Sequence, residues 1–450
     1  MELYYGGGNN KMIFFKKMMV LSIFCMFIGG SVVPALSITT RYICLSEPVE
    51  NIIENKKWTI MFYDDSDFFM GYHPFYNFAN HAFSADNLSV VVLEDKWLNP
   101  AALWSIDNFH NPTKLESLGE INMGASSTLQ DFVVYCKQQY PADRYVLTVY
   151  DHGMGWAGSC IDISAPAQLV RDFLSMDEMQ TALSNAGGVD ILCFTAPCNM
   201  GAVESVYELR DCVDIYIGSE ESSGFIYWPD TIKTLCETLN KNPDVSNTEL
   251  GVSIVDWIER DAIANESYGD YLSMSAVRTD KITDLVEKID ALSTYIYNNF
   301  NESISVLNIA HSMSKRVGEY YNGIDLYDFA QHYYEIEQND LIQNHLQTIM
   351  DSFNEAVINE CHAINHSGDN GLSIYFPSNT SSYNTGYSKV KLDFADDTCW
   401  DELLKKNTKK ESISFSSPVN MLFFLNQYPL FFSFSCLFDN LLFFQLNSHL

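Results

Sequence analysis

Two short segments of the chain end apolar runs with side chains that together could attack a carbonyl carbon. His152 lies two residues past the run "YVLTVY", and Cys198 lies three past the run "DILCFT". If both runs are neighbouring strands of a parallel sheet, ~4.8 Å apart, their carboxyl ends bring the imidazole and the thiol to one edge. A thiol beside a histidine can act as a nucleophile. The spacing therefore predicts a Cys–His pair.

The residues around this pair support the same chemistry. Gly153 and Gly201 let the backbone pass close to a substrate, and their amides could stabilise an oxyanion. A helix predicted directly after Cys198, in "NMGAVESVYELR", would place the thiol at the positive end of a helix dipole. Its Glu204 and Glu208, four residues apart on one helix face, are interpreted as solvated or capped carboxylates and not as catalytic ones. The alternative is that Cys198 is simply one of eleven cysteines and packs as a small apolar residue.

The elements that must position these residues form an α/β pattern. Continuous apolar runs such as "WTIMFYDDSD", "LSVVVLED" and "VDIYIGSEE" alternate with helical stretches between about residues 58 and 235. Strands without polar alternation indicate a parallel sheet covered on both faces. From about 236 to 365 the spacing predicts long amphipathic helices, including one over "NHLQTIMDSFNEAVINECH". A strand returns at 371–377, in "GLSIYFP".

Charge and cysteine usage exclude several classes of protein. The 450 residues carry 58 Asp and Glu against 26 Lys and Arg, a formal net charge of −32. This balance argues against a nucleic-acid partner and against binding to an anionic membrane surface. No CxxC pair is present, which argues against a disulfide-dense scaffold or a structural zinc cluster. No His/Asp spacing suggests a metal-dependent hydrolase.

Both ends of the chain differ from the middle. Residues 1–37, with a possible start at Met12, have the basic, apolar and small-residue order of a secretory signal peptide; an uncleaved anchor is the alternative. Residues 38–56 form a linker. Residues 401–450 form a polar linker and a Phe/Leu-rich tail, which is either a degenerate membrane anchor or a segment without a fold of its own. The expected location is therefore secreted or extracellular, with surface anchoring as the alternative.

Four segments of the chain resemble the clostripain family of cysteine peptidases and occur in the same order as in that family. They are "WTIMFYDDSD", "DRYVLTVYDHGMGW", "DILCFTAPCNMGAVESVYELRDCVDIYIGSEE" and "GLSIYFP". The resemblance runs from about Trp58 to Pro377. It implies a caspase-like three-layer α/β/α fold over residues 57–400, with a mostly parallel sheet and a helical C-terminal part. It also implies that Cys198 is the nucleophile of an acyl-enzyme mechanism, that His152 is its proton partner, and that proteins or peptides are the substrates.

The resemblance carries two further expectations. Members of the family mature by internal cleavage, and Arg171 is the only Lys or Arg between Asp151 and Cys198. It is the candidate cleavage site, although an ordinary surface arginine is an equal alternative. No cofactor is required, but some members use calcium, and Asp65 and Asp67 are the candidate ligands because hard cations prefer carboxylate oxygens. An acidic turn at the end of a strand is the alternative for these two.

One departure concerns the substrate. The family has an acidic residue two positions before the cysteine that binds a basic substrate side chain; here the position is Ala196, and Asn199 replaces an apolar residue after the cysteine. Losing one partner of such a pair costs about 2–5 kcal/mol. Glu220 or Glu221 could supply the missing charge, or the pocket could prefer uncharged residues. We predict an active endopeptidase with an altered or weakened P1 preference; the alternative is a catalytically inactive binding module of the same fold.

Overall fold

The centre of the molecule is a nine-stranded mixed sheet. In chain order its strands are β1 (Lys56–Ser66), β2 (Leu88–Lys96), β3 (Asn99–Ile106), β4 (Pro112–Gly119), β5 (Ala142–Tyr150), β8 (Val189–Phe194), β9 (Val213–Gly218), β10 (Ser273–Arg278) and β13 (Val357–His362). Across the sheet the order is β13-β10-β9-β8-β5-β1-β2-β3-β4. The computed structural model describes residues 55–66, 79–96, 99–163, 172–222, 228–264, 272–318, 321–377 and 383–408. The signal segment, Asp67, Arg171 and the tail beyond residue 408 lie outside these ranges.

The five central strands β2, β1, β5, β8 and β9 run parallel, as the continuous apolar runs predicted. Antiparallel strands extend both edges, β3 and β4 on one side and β10 and β13 on the other. These four strands were not predicted. The helix predicted through residue 362 ends at Ala356, and the chain continues as β13 from Val357. The β-branched pair at Val357 and Ile358 favours the strand.

Eleven helices are described: α1 (Ser126–Gln139), α2 (Met176–Asn185), α3 (Val203–Glu208), α4 (Pro229–Lys241), α5 (Asn247–Ala264), α6 (Thr279–Asn298), α7 (Phe300–Met313), α8 (Leu326–Ile336), α9 (Asp340–Ala356), α10 (Asp393–Asp397) and α11 (Trp400–Thr408). Successive side chains of a strand point to opposite faces. In β1, Ile60 and Phe62 therefore join the core formed with α4 and α5, whereas Met61 and Tyr63 join the core on the other face. The fold is the predicted three-layer α/β/α arrangement with a helical C-terminal part.

Two small sheets lie outside the central one. Strands β6 (Gly158–Asp162) and β7 (Asp172–Ser175) pair antiparallel, and β11 (Arg316–Val317), β12 (Gly323–Asp325) and β14 (Ser373–Tyr375) form a three-stranded sheet. The strand predicted at 371–377 is β14, shorter than expected and separate from the central sheet. It makes a parallel bridge to Ala202, in the segment that follows β8.

No helix among the described residues has both the length and the apolar character needed to cross a membrane.

Candidate active site

The loops that carry His152 and Cys198 leave neighbouring strands at the same edge of the sheet. Strands β5 and β8 pair in parallel with Val149 opposite Phe194, and the Thr195 amide donates a 3.1 Å hydrogen bond to the Val149 carbonyl. The two strands thus end level with each other. His152 follows two residues after β5 and is buried, while Cys198 follows β8 and is half-buried. The predicted neighbourhood of the two strands is confirmed.

Gly153 brings the two loops into direct backbone contact. A Cβ atom at this position would overlap the Cys198 carbonyl oxygen and lie 2.8 Å from the Cys198 amide nitrogen and 2.9 Å from the Pro197 carbonyl carbon. Since real side chains do not approach a backbone so closely, only glycine fits here. The backbone of Gly153, next to His152, is therefore held in direct contact with the backbone of Cys198.

Hydrogen bonds to the turn after β5 hold His152 in place. The Asp151 carboxylate accepts from the Ile161 amide, and the His152 carbonyl accepts from the Cys160 amide at 3.3 Å. The Met154 amide also donates to the Gly158 carbonyl. Gly153 and Ser159 therefore form an antiparallel pair in which the hydrogen bonds are made by the neighbouring residues and not by Gly153 itself. Among the described residues, the Gly153 amide has no hydrogen-bond acceptor. It is therefore a candidate donor to a group bound at Cys198.

Asn199 holds the other loop. Its backbone has φ = 60°, the left-handed conformation that asparagine adopts more readily than most residues. Its amide donates to the Glu221 carbonyl and its side-chain Nδ2 donates to the Glu220 carbonyl, each at 3.0 Å. The departure from an apolar residue at this position thus has a conformational explanation, because a β-branched or bulky apolar side chain would be strained there.

The expected helix directly after Cys198 is wrong. Helix α3 begins only at Val203 and has six residues, because Ala202 is extended and pairs with Ser373 of the small sheet, and Gly201 is hydrogen-bonded to the same residue. The Ser373 amide donates to the Gly201 carbonyl at 2.8 Å, and the Gly201 amide donates to the Ser219 carbonyl at 2.7 Å. A helix dipole therefore does not support the thiolate. The Gly201 amide is already hydrogen-bonded, so Gly153 is the better of the two candidates for an oxyanion donor.

The residues expected to shape the substrate pocket are largely enclosed. Ala196 has no exposed surface, and Glu220 is 1% exposed with its carboxyl group accepting from the Gly371 amide at 2.9 Å. Burial, followed by the neighbouring Asp325 and Asp369, raises the pKa of Glu220 well above its usual range. In this conformation neither Ala196 nor Glu220 presents a surface to a substrate side chain.

Glu221 belongs to a charged cluster that the sequence did not predict. Its carboxylate accepts from the Gly318 amide at 2.9 Å and lies 3.3 Å from Nδ1 of His366 and 3.6 Å from Nζ of Lys315. Burial acts to raise its pKa, but His366, the Gly318 amide and Lys315 together lower it. Asp369 completes the cluster, 3.2 Å from Lys315. His366 and Asp369 lie three residues apart in the loop between β13 and β14, whereas Glu221 and Lys315 come from distant parts of the chain. Only the spacing of His366 and Asp369 was therefore visible in the sequence.

Glu204 is not a solvated carboxylate, as the sequence suggested, but a fully buried one. It accepts hydrogen bonds from the Tyr375 amide at 2.8 Å and from the hydroxyl groups of Tyr321 and Tyr387, each at 3.1 Å. Burial raises the pKa of Glu204 to about 7. Glu208 is also buried, and its carboxylate accepts from the Asp393 amide at 2.8 Å. The same helix turn therefore ties the segment after Cys198 to β14 and to the C-terminal part.

Glu204 should make stability fall with rising pH. Its folded-state pKa of about 7 exceeds its unfolded value of 4.5, so the folded chain binds a proton that the unfolded chain releases. This contribution is complete below pH ~4.5 and lost above pH ~7, on the order of 3 kcal/mol in all. Glu204→Gln, which mimics the protonated group, should reduce the stability difference between pH 5 and pH 8 in urea unfolding.

The exposed Glu237→Gln variant is the matched control and should keep the pH dependence of the original protein. If Glu204→Gln destabilises the protein more at pH 8 than at pH 5, the buried group is ionised and stabilising, contrary to this prediction.

The calcium candidates are only partly described. Asp65 is fully buried at the end of β1, and Asp67 lies outside the described residues. Burial, followed by Glu94, raises the pKa of the adjacent Asp64. Asp64 and Asp65 are successive residues of β1 and point to opposite faces of the sheet, so this crowding is not at Asp65. Calcium binding by Asp65 and Asp67 therefore stays a prediction.

Comparisons with known proteins agree on one family. A family model described as "Clostripain family" matches residues 76–407. Among curated proteins, "Clostripain" from Hathewaya histolytica is 27% identical over a 329-residue alignment that covers 61% of this chain and 60% of that protein. The chain thus spans less than two thirds of the length of this relative.

Solved structures with the same fold are also cysteine peptidases. One is an inactive zymogen of a C11 protease from Parabacteroides distasonis, 17% identical with a TM-score of 0.58, covering 77% of this chain and 99% of that one. Another is a secreted C11 cysteine protease from Bacteroides thetaiotaomicron in complex with an irreversible peptide inhibitor. It is 18% identical with a TM-score of 0.55, covering 76% of this chain and 98% of that one. At these identities the similarity establishes the fold.

Proposed function

The chain belongs to the clostripain family, and from this premise we propose that it is a cysteine endopeptidase with Cys198 as nucleophile and His152 as its proton partner. The observation that carries the proposal is the contact of Gly153 with the backbone of Cys198. It ties the loops of the two candidate residues together at one edge of the sheet.

The reaction follows from the roles of these groups. The Cys198 thiolate attacks the carbonyl carbon of the scissile bond, and the tetrahedral oxyanion receives a hydrogen bond from the Gly153 amide. The His152 imidazolium donates a proton to the leaving amine as the C–N bond breaks, which leaves an acyl-enzyme. Neutral His152 then takes a proton from water, whose oxygen attacks the thioester; the C–S bond breaks and releases the acid and the Cys198 thiolate, which restores the starting thiolate and imidazolium. No cofactor takes part in these steps.

The substrate preference differs from the family pattern in this proposal. Ala196 provides no carboxylate, Glu220 is buried, and the charge of Glu221 already faces Lys315 and His366. A basic P1 side chain would therefore lack a free partner, which costs about 2–5 kcal/mol when the other charge is desolvated. We expect the enzyme to favour uncharged P1 residues or to discriminate weakly.

A peptide library randomised at P1 tests both parts of the proposal. The full-length protein should cleave after uncharged residues, a thiol alkylator should block the cleavage, and a Cys198→Ala variant should show none. Strong cleavage after Arg or Lys would mean that another acid has replaced the missing one and would contradict the proposed preference. If no peptide is cleaved, even with calcium added and after limited proteolysis, the chain is instead a binding module that keeps the peptidase fold.

Maturation, location and calcium remain parts of the proposal. Cleavage after Arg171 would fall between β6 and β7, outside the described residues. Residues 1–37 would direct secretion, and membrane contact would be limited to this signal and to the tail. Calcium at Asp65 and Asp67 would stabilise the end of β1 and would not enter the reaction.

A further inference from the structure

Three residues from two loops bring metal-binding atoms close together near the end of β9. Glu221 follows β9, His366 ends a short 3-10 turn, and Asp369 precedes β14. One ligand atom from each residue lies within 4.8 Å of the other two. Nδ1 of His366 is 3.3 Å from Oε1 of Glu221 and 3.7 Å from Oδ2 of Asp369.

These separations are close to those between the ligands of one metal ion, although they are also within ion-pair distance. Ligand atoms ~2.0–2.2 Å from a tetrahedral zinc ion stand ~3.3–3.6 Å apart. A charge-assisted N–H···O bond contracts to ~2.7–2.9 Å, and the pair of His362 and Glu360 in this protein has an N–O distance of 2.9 Å. The distances around His366 are longer than such a contracted bond.

Burial and charge also suit a cation. The side chain of Asp369 is 1% exposed and that of Glu221 12%, so water competes little. The carboxyl group of Glu220 lies close to those of Asp325 and Asp369, so negative charge is concentrated at this site. Lys315 supplies the neutralising charge in this structure, 3.2 Å from Asp369 and 3.6 Å from Glu221.

We propose that Glu221, His366 and Asp369 bind a zinc ion, with a fourth position open to water, and that the Lys315 ammonium moves away from the carboxylates when the ion enters. An imidazole with two carboxylates favours zinc over calcium, because calcium takes six or more oxygen ligands. The proposal does not depend on peptidase activity, since binding of the ion is measured directly.

The test uses the full chain with Cys198→Ala, which removes the candidate nucleophile as a competing zinc ligand. Zinc chloride is titrated in competition with a chromophoric chelator, and calcium chloride is titrated in parallel. We expect one zinc site per chain, from which calcium does not displace zinc. His366→Ala should weaken zinc binding at least ~100-fold, since even outer-shell partners contribute 10–100-fold. Lys315→Met should tighten it at least ~10-fold by removing a nearby positive charge.

His362→Ala is the matched control, because it removes another histidine paired with a glutamate and should leave the affinity unchanged. The proposal is overturned if no zinc site is found, if the site persists in His366→Ala, if His362→Ala abolishes it, or if calcium displaces zinc from it. Circular dichroism shows whether each variant folds. If His366→Ala does not fold, the zinc affinity of Lys315→Met decides. Tighter zinc binding in that variant supports the site, and unchanged or weaker binding overturns it.

Discussion

Replacing Cys198 with alanine is expected to abolish peptide cleavage, since no other described thiol lies at the loops that follow β5 and β8. Replacing His152 with alanine should lower kcat/KM by ~10²–10⁴-fold, the usual contribution of a general acid–base group. Because the two residues act as a unit, the double variant should be no worse than Cys198→Ala alone. Initial rates on the best library peptide measure all three variants.

The Cys399→Ala variant provides a matched control, because Cys399 is also half-buried but lies near the start of α11. It should retain full activity. Cleavage by purified Cys198→Ala at a rate near that of the original protein would rule out the assigned nucleophile. If instead His152→Ala keeps full activity, Cys198 is activated by another group.

Gly153→Ala should nearly abolish activity while leaving most of the fold intact. The added methyl group would overlap the Cys198 carbonyl oxygen, so one of the two loops must move. Displacing the Gly153 amide removes one oxyanion donor, which typically costs ~10²–10³-fold in kcat. The rate of Cys198 alkylation and the cleavage rate should both change, and thermal unfolding reports whether the variant is folded.

Gly119→Ala separates this effect from general destabilisation. Gly119 has φ = 77° and no atoms within 4 Å of an added Cβ, so its substitution costs backbone strain of about 1–2 kcal/mol without a clash. It should lose stability and keep the specific activity of the folded protein. Equal losses of activity in both variants would show that Gly153 matters only for stability.

The sequence predicted what depends on local pattern. Continuous apolar runs identified the parallel strands, and glycine with histidine at one strand end and cysteine at another identified the candidate pair. Of the edge strands, β4 was not predicted because it is polar and exposed over most of its length and so contains no apolar run. The boundary between α9 and β13 was not predicted because apolar residues keep their helical spacing beyond Ala356, where the chain instead pairs with β10 at the edge of the sheet.

The departures from prediction at the site are long-range effects. Glu204 is buried because tyrosines more than one hundred residues away surround it, and a glutamate on a short amphipathic segment gives no sign of this. The helix expected after Cys198 is delayed because β14 pairs with that segment. Partners so distant in the chain leave no periodicity that can be recognised beforehand.

The order of the central sheet divides the chain into two contiguous blocks. Strands β1 to β5, all before residue 151, occupy one half of the sheet, and β8, β9, β10 and β13, all after residue 188, occupy the other. The seam between the blocks is the β5–β8 pair, and His152 and Cys198 stand on opposite sides of it. If the chain were cut between β6 and β7, one fragment would carry His152 and the other Cys198, so neither fragment would contain the whole candidate site. The two residues would then be kept together by the backbone hydrogen bonds between β5 and β8.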